Sequence, residues 1–555
     1  MNKSSGPRSI AMVCTDLEGL VSSGDGVAKA NAAIAECISA AGHRISIYFV
    51  SRLANLVQDF HKWQLYYSDK NIDLNWLQEP PFIIEGLDPA RVSYAAYLQL
   101  RNQNFDIIHF QGAQGLGYYT ALAKSQGLDF DKSLICVDLH GPAYWGMYGN
   151  EEVVPGPDEM LKFYLERKSV ELADVLISPS QYLVSWAESA GWKLPQRKFV
   201  EQFPISWNES LSYRGKTSNF KEIIFYGRLE TRRGIVEFCD ALDALPNNLL
   251  QHLGVSVTFL GGHGSPRWVH SAEYLSQRGH RWSHHWKVIS DFPQDEEMKY
   301  IAGRDALVVI PYREDSMGYS VLECLRAGAP MIAADIQTFR EIIDPRDHKS
   351  VLFKNDAAGL SAKINTALKE GVKRARFSAH PKATAKNWGS WHSKIEIHAS
   401  QKANLSKQNF LVSVCVTHRN RPSLLKQCLD SLEQQTYFNI EVILVDDASD
   451  TPEAKTYLKS LEAQFRSKKW KILKQKKSIG PSEIRNRAAK LARGEYLLFM
   501  DDDNFAKPNE ISTFMKAALT SNADILTCAC DRFTGVKPPS GLPISRWPPL
   551  GSEFR

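Results

Sequence analysis

The sequence of 555 residues contains no apolar run approaching the roughly 20 residues that a membrane-spanning helix needs. Its N-terminus, MNKSSGPRSIAMVCTDLEG, lacks the uninterrupted apolar core and cleavage site of a signal peptide. Cysteine is sparse, with nine residues, odd in number and scattered. Cys14, Cys136 and Cys415 sit in apolar runs, where a thiol behaves as a small hydrophobe. Only Cys528 and Cys530 stand close together, and no second pair or histidine cluster completes a zinc site. Buried free thiols in a reducing compartment are therefore expected. A formal net charge of +5 is small for this length, and no basic–aromatic stripe offers a nucleic-acid footprint. Internal repeats and low-complexity tracts are missing too. These absences point to a cytoplasmic globular protein that does not bind nucleic acid. At about 150 residues per domain, the length allows three or four compact units.

What is present is a succession of short apolar runs alternating with longer helix-like segments. IAMVC (10–14), DIIHF (106–110), SLICVDL (133–139), EIIFYG (222–227) and DALVVIP (305–311) are apolar almost throughout. Strands in a parallel sheet covered on both faces read this way, without period-2 alternation. IVEFCDALDAL after Gly234 instead repeats Ile235, Phe238, Leu242 and Leu245, a helical stripe. The order predicts an α/β fold of doubly wound Rossmann-like units whose ligands bind at the carboxyl ends of strands. Polar, turn-rich PISWNESLSYRGKTSN (204–219) and the segment ASQKANLSKQN (399–409) mark divisions. The expected domains are residues 1–205, 206–400 and 410–555, with 401–409 as a linker. Lys369–Lys407 is rich in Lys and Arg; it reads as a solvated helix face or as a basic surface facing the inner side of the cell membrane.

Four features of the first 400 residues fall at strand ends. Gly24-Asp25-Gly26 lies between the first strand and a helix, where glycine permits close ligand approach and a helix N-terminus favours anions. His140-Gly141 follows SLICVDL and can serve a sugar hydroxyl or a phosphate. Gly227-Arg228-Leu229 and Arg232-Arg233-Gly234 place guanidinium forks before a helix, as a diphosphate clamp requires. Asp315 and Glu323, with seven residues between them, flank a loop whose Gly318, Tyr319, Ser320 and Val321 can present amides and hydroxyls to a sugar nucleotide.

GRLETRRG, the spaced acids with VLECLRAGAPMIAAD, HG after a central strand and RKSVELADVLISPS resemble family 4 glycosyltransferases of the GT-B fold over roughly residues 8–395. The resemblance implies retention of anomeric configuration without a metal, with residues 1–205 on the acceptor side and residues 206–400 binding the nucleotide sugar. It implies that Arg228 and Arg233 hold the diphosphate, Glu323 the ribose, and that His140 faces the transferred sugar. The first acid is usually Glu; here it is Asp315 with Glu314 beside it, and which of them meets the sugar is left open. The usual lysine of the clamp is Arg233, which keeps the charge but alters the geometry.

After residue 410 the pattern restarts. LVSVCVTHRNRP and IEVILVDDASD place Asp446 and Asp447 at a strand end, and GEYLLFMDDDN closes an apolar strand with Asp501, Asp502 and Asp503. Three adjacent acids repel one another unless a cation shares them, which suits Mg2+ or Mn2+ bridging to substrate phosphates. These residues resemble the donor half of family 2 glycosyltransferases, with a GT-A fold and inverting chemistry. The resemblance implies nucleoside contacts at Thr417, Asp447 and Asp450, a diphosphate contact at Arg485, donor contact at Asp502 and metal ligation by Asp501 and Asp503. That family's base lies further downstream, and Asp524, Asp531 and Glu553 sit in no recognisable base motif. The expectation is a sugar transferase acting on a nucleotide-diphosphate sugar and a glycan or lipid-linked acceptor in cell-surface polysaccharide synthesis. The first module would be the catalyst and the second a nucleotide-binding part, fragmentary or vestigial. A catalytically silent scaffold is the alternative.

Overall fold

The computed structural model describes residues 6–20, 26–50, 60–205, 212–213, 215–246, 248–291, 296–399, 409–535 and 541–549. Gly24, Asp25 and most of the expected linker lie outside them. The chain forms two compact units. The first comprises Met1–Gln78, Leu87–Leu122 and Lys132–His398; the second comprises Glu79–Gly86, Ala123–Asp131 and Ala399–Arg555.

The first unit holds two parallel sheets. One has seven strands in the order Ile72–Trp76, Arg44–Phe49, Ser9–Cys14, Ile107–Gln111, Leu134–Asp138, Val175–Ser178 and Arg197–Val200. The other has six, in the order Trp286–Ile289, Ser256–Leu260, Glu222–Tyr226, Ala306–Ile310, Met331–Ala334 and Leu352–Phe353. In both, the strand earliest in the chain lies beside the fourth, and the connections leave that pair in opposite directions. Such a switch point opens a crevice at the carboxyl ends of the two strands. The apolar runs form the sheet interiors: Ile10, Val13, Ile108, Ile223, Phe225, Val308 and Val309 are all buried.

Local geometry follows from particular residues. Gly234 has φ 76°, and a Cβ there would lie 1.7 Å from the Pro311 carbonyl oxygen, so only glycine can start the helix Ile235–Asp243 at this point. That helix buries Ile235, Val236, Phe238, Cys239, Ala241 and Leu242, the stripe expected from its spacing. The helix Pro381–Lys394 follows the second sheet in sequence, yet it packs on the first. Trp388 is fully buried in the first sheet's core and donates to the Gln202 carbonyl at 2.9 Å, while Trp391 stacks on Phe199. A large aromatic surface is thereby removed from water.

The second unit carries a four-stranded parallel sheet in the order Lys471–Lys474, Ile440–Asp446, Val412–His418 and Tyr496–Asp501. The edge strand alternates: Leu497 and Phe499 are about half exposed. The apolar run YLLFM reads as a strand buried on both faces, but in Tyr496–Asp501 the face carrying Leu497 and Phe499 is left open to water. A small sheet pairs Cys530–Arg532 antiparallel with Ser545–Trp547, which runs parallel to Ile83–Ile84. The Glu85 carboxylate meets Arg532 at 2.9 Å. No local pattern in the sequence places residues 79–86 with the last 150.

Candidate functional site

At the switch point of the six-stranded sheet, Glu222–Tyr226 runs into Gly227-Arg228, and Ala306–Ile310 runs into Glu314-Asp315. Arg233 bridges the two ends. Its guanidinium lies 2.9 Å from Asp315, 3.6 Å from Glu230 and 4.4 Å above the Tyr312 ring. Burial works against its charge, but Asp315, Tyr312 and Glu230 together raise its pKa further above the ordinary arginine value. Arg232 pairs with Glu230 at 2.9 Å and lies over the Trp145 ring. The Arg228 side chain is 68% exposed and only 3.9 Å from Glu230. The two arginines of the expected clamp therefore sit differently, Arg233 locked and Arg228 reaching outward. Glu230, overlooked in the sequence, organises all three; its signal was the lone acid inside GRLETRRG.

Asp315 is buried and committed. It accepts from the Ser316 amide at 2.9 Å and the Gly318 amide at 3.1 Å besides Arg233, so it shapes its own loop. Glu314 accepts from the Tyr182 hydroxyl at 2.9 Å; burial raises its pKa, against that hydrogen bond. Glycine at 149 leaves room for it, since a Cβ would lie 2.0 Å from the Glu314 carboxylate. Gly318, at φ 65°, precedes the helix Tyr319–Ala327. The Ser320 hydroxyl meets that of Tyr312 at 2.8 Å, and Tyr319 packs beside Gly26. Val321 is fully buried in the core, so its side chain is withdrawn from any ligand and only its amide is at the helix start. Glu323 is nearly buried and has both oxygens engaged, one by Lys29 at 3.0 Å and one by the Tyr226 hydroxyl at 2.5 Å. Lys29 and Tyr226 carried no sequence motif and were missed.

His140 comes from the seven-stranded sheet. Its ring is buried against Phe203, and neither ring nitrogen has a hydrogen-bond partner among the described residues. Burial lowers its pKa, keeping the imidazole neutral. A Cβ on Gly141 would lie 3.2 Å from the Ser316 hydroxyl, so the histidine's turn abuts the Asp315 loop. Ser180 adds a second tie, donating to the Ser316 carbonyl at 3.0 Å.

In the second unit the acids converge at the analogous switch point. Asp447 accepts from the Ser478 hydroxyl at 2.7 Å and the Ile479 amide at 2.8 Å; burial opposes, but these donors lower its pKa. Asp450 is held low chiefly by the Asn420 carboxamide at 2.6 Å. Asp501 accepts from Thr417 at 3.0 Å and Arg485 at 2.7 Å. Asp503 pairs with Arg421 at 2.7 Å. Asp502 is fully buried, bonded to His418 at 2.6 Å and to Arg421, which gives it an anchoring place within the fold rather than at the ligand-facing surface. The charge repulsion expected of this triplet is thus relieved within the chain by two guanidinium groups. Among the described residues no group of three or more His, Cys, Asp or Glu is arranged to hold a metal. Asp531 is spent on Lys507 at 2.6 Å and on Arg546.

Residues 207–383 match the family described as Glycosyl transferases group 1, and residues 413–554 match Glycosyl transferase family 2. Glycosyltransferase GlyG of Streptococcus pneumoniae is 32% identical over 116 residues, covering 21% of this chain and 38% of that protein. The putative colanic acid biosynthesis glycosyl transferase WcaA of Escherichia coli is 32% identical over 109 residues, covering 20% of this chain and 38% of the relative. The chain thus spans 38% of the length of each of these two proteins. Among solved structures, Anabaena HepE in complex with UDP and glucose aligns with 15% identity and a TM-score of 0.46, covering 70% of this chain and 95% of that one. Among the described residues no helix is long and apolar enough to cross a membrane.

Proposed function

We propose, for a chain that carries a group 1 glycosyltransferase segment at residues 207–383 and a family 2 segment at 413–554, that it transfers a sugar from a nucleotide-diphosphate donor to a glycan or lipid-linked acceptor. The observation that carries this reading is the grouping of Arg233, the Asp315–Gly318 loop and Glu323 around one switch point, with His140 against the loop. In it, Arg228 and Arg233 take the charge that develops on the leaving diphosphate, and the start of the helix Tyr319–Ala327 adds oriented amides. Asp315 acts through Arg233, fixing the guanidinium before substrate arrives. Glu323, with a free lone pair on each oxygen, accepts from the ribose hydroxyls. The acceptor hydroxyl attacks on the face from which the diphosphate departs; as the anomeric C–O bond to the diphosphate breaks, the hydroxyl proton passes to the departing phosphate oxygen, and configuration is retained. Neutral His140 donates one hydrogen bond to the transferred sugar. WcaA is named for colanic acid biosynthesis, which favours a cell-surface polysaccharide as the product class here.

Residues 410–555 bind a second nucleotide sugar in this reading. Their carboxylates fit a hard divalent cation: Asp501 and Asp503 are 40% and 43% exposed at one strand end, and each is paired to an arginine that a diphosphate would also attract. A cation held there would neutralise diphosphate charge. Thr417 and Arg485 would orient Asp501, and Arg421 would hold Asp502 in place. Binding without transfer is the second reading for these residues, favoured by the engagement of Asp531 in ion pairs. A peripheral contact at the inner membrane face rests on the Lys369–Lys407 stretch, although Arg376 within it is spent on Asp347.

The test is nucleotide release from a panel of UDP-, GDP- and ADP-sugars, with and without EDTA. Release that survives EDTA, falls at least tenfold in Glu323→Gln and is unchanged in Asp503→Asn supports the first segment as catalyst. Nucleotide binding without release from any donor, across an acceptor panel, overturns it in favour of the scaffold.

A further inference from the structure

Six of the nine cysteines are buried and Cys37 is half-buried, which keeps their thiols from reagents in solution. Cys528 and Cys530 are the exceptions, both exposed on the second unit, and the transfer reaction gives them no part. They are held differently. Cys530 opens the strand Cys530–Arg532 and lies opposite Trp547 in the partner strand. The following residue pins that strand, since Asp531 takes Lys507 at 2.6 Å and Arg546 at 2.9 Å. Cys528 precedes the ladder. The Cys530 sulfur lies 3.9 Å from the Cys528 carbonyl oxygen, and the two thiols hydrogen-bond to one another.

In that bond Cys528 donates and Cys530 accepts. The donated proton holds the Cys530 pKa down at about 6, against burial and the carboxylates of Glu510 and Asp531. The same bond, with burial, pushes Cys528 well up. Burial alone raises the Cys37 thiol to about 11 and, with nearby acids, the Cys428 thiol to about 12. A thiolate that solvent reaches is the nucleophile of disulfide chemistry, and a second thiol beside it can resolve the bond it forms. The spacing sets the character of the product. Along an extended chain, Cα atoms two residues apart are about 7 Å apart, at the limit that a disulfide can bridge. A bond between the pair therefore needs Cys528, outside the ladder, to swing inward, and it is strained. Strained, exposed disulfides are readily reduced again.

We propose that Cys528 and Cys530 form a thiol–disulfide exchange site for low-molecular-weight disulfides, with Cys530 as the nucleophile and Cys528 as the resolving thiol. The Cys530 thiolate attacks one sulfur of the small disulfide; the new S–S bond forms as the old one breaks, and one small thiolate leaves. Cys528 then loses its proton and attacks Cys530 Sγ, which closes the internal disulfide and expels the second small thiolate. The two protons that the cysteines release end on the two small thiols. The protein dithiol is oxidised by two electrons and the small disulfide is reduced by two. This chemistry is independent of sugar transfer.

The test incubates the full chain, reduced and freed of small thiols, with glutathione disulfide at pH 6, and follows its mass. The wild type should lose two hydrogens without keeping a glutathionyl group, and dithiothreitol should restore them. Cys528→Ser, whose hydroxyl can still donate to Cys530, should stop at the mixed disulfide with one glutathionyl group. Cys530→Ser should react about tenfold more slowly. At pH 6 an ordinary thiol is about 0.3% ionised and Cys530 about half, a difference that the lower nucleophilicity of Cys530 only partly offsets. Both residues are exposed, so serine at either leaves the fold in place. An unreactive wild type, a mixed disulfide that persists in the wild type, or an unchanged rate in Cys530→Ser overturns the site.

Discussion

Replacing Arg233 by alanine separates stability from chemistry, because in the proposed reaction the residue serves both. Its guanidinium lies 2.9 Å from Asp315, whose carboxylate is 4% exposed. Removing one partner of a buried ion pair costs about 3–5 kcal/mol through the charge left behind. Asp315 keeps the amides of Ser316 and Gly318, so the lower end, about 3 kcal/mol, is expected. For the first unit, of about 380 residues at about 2.1 cal/mol/K per residue, that corresponds to a fall in Tm of roughly 4 °C. Arg233→Met with Asp315→Asn removes both charges and should recover at least half of the loss, since asparagine can still accept from an amide. Donor turnover behaves differently. The oriented charge on the departing diphosphate is missing in both variants, and both should lose about 10²–10³ in kcat. The assay pairs scanning calorimetry with nucleotide release. A Tm change below about 1 °C in Arg233→Ala would refute the buried-pair argument. Recovery of turnover together with stability in the double variant would refute the catalytic one.

Three further outcomes are expected. Glu166 is buried, which raises its carboxyl pKa to about 7 against the Ala143 and Gln114 amides that it accepts from. A carboxyl raised in the folded state favours folding below its unfolded value and loses that contribution as pH climbs through 7. Urea midpoints should therefore show wild-type stability falling by up to about 1.4 kcal/mol per pH unit between pH 4.5 and 7, a slope missing in Glu166→Gln. Arg421→Ala leaves fully buried Asp502 with His418 alone, and limited proteolysis should show residues 410–530 opening about 10²-fold more readily, with residues 215–395 unaffected. Gly234→Ala forces a Cβ to 1.7 Å from the Pro311 carbonyl, so the Arg233 turn must shift and nucleotide affinity should fall at least tenfold by calorimetry.

Much of this protein was legible as sequence because its strands are buried on both faces. Continuous apolar runs such as EIIFYG and DALVVIP admit little besides parallel strands under helices, and the helical stripe of IVEFCDALDAL follows from spacing alone. Glycine before a helix with arginines beside it, and two acids with seven residues between them, mark a candidate site for the same local reason. What the sequence could not determine is which charges cancel which. Asp315 turned out to be spent on its own loop and on Arg233, Val321 sits in the core, and Asp502 is an anchor, all because partners distant in sequence claim them. Glu323 is engaged by Lys29, 294 positions away, and by Tyr226, 97 positions away. Side-chain periodicity is a local property and survives in one dimension; electrostatic pairing and burial depend on distances that the chain acquires only when its sheets are assembled.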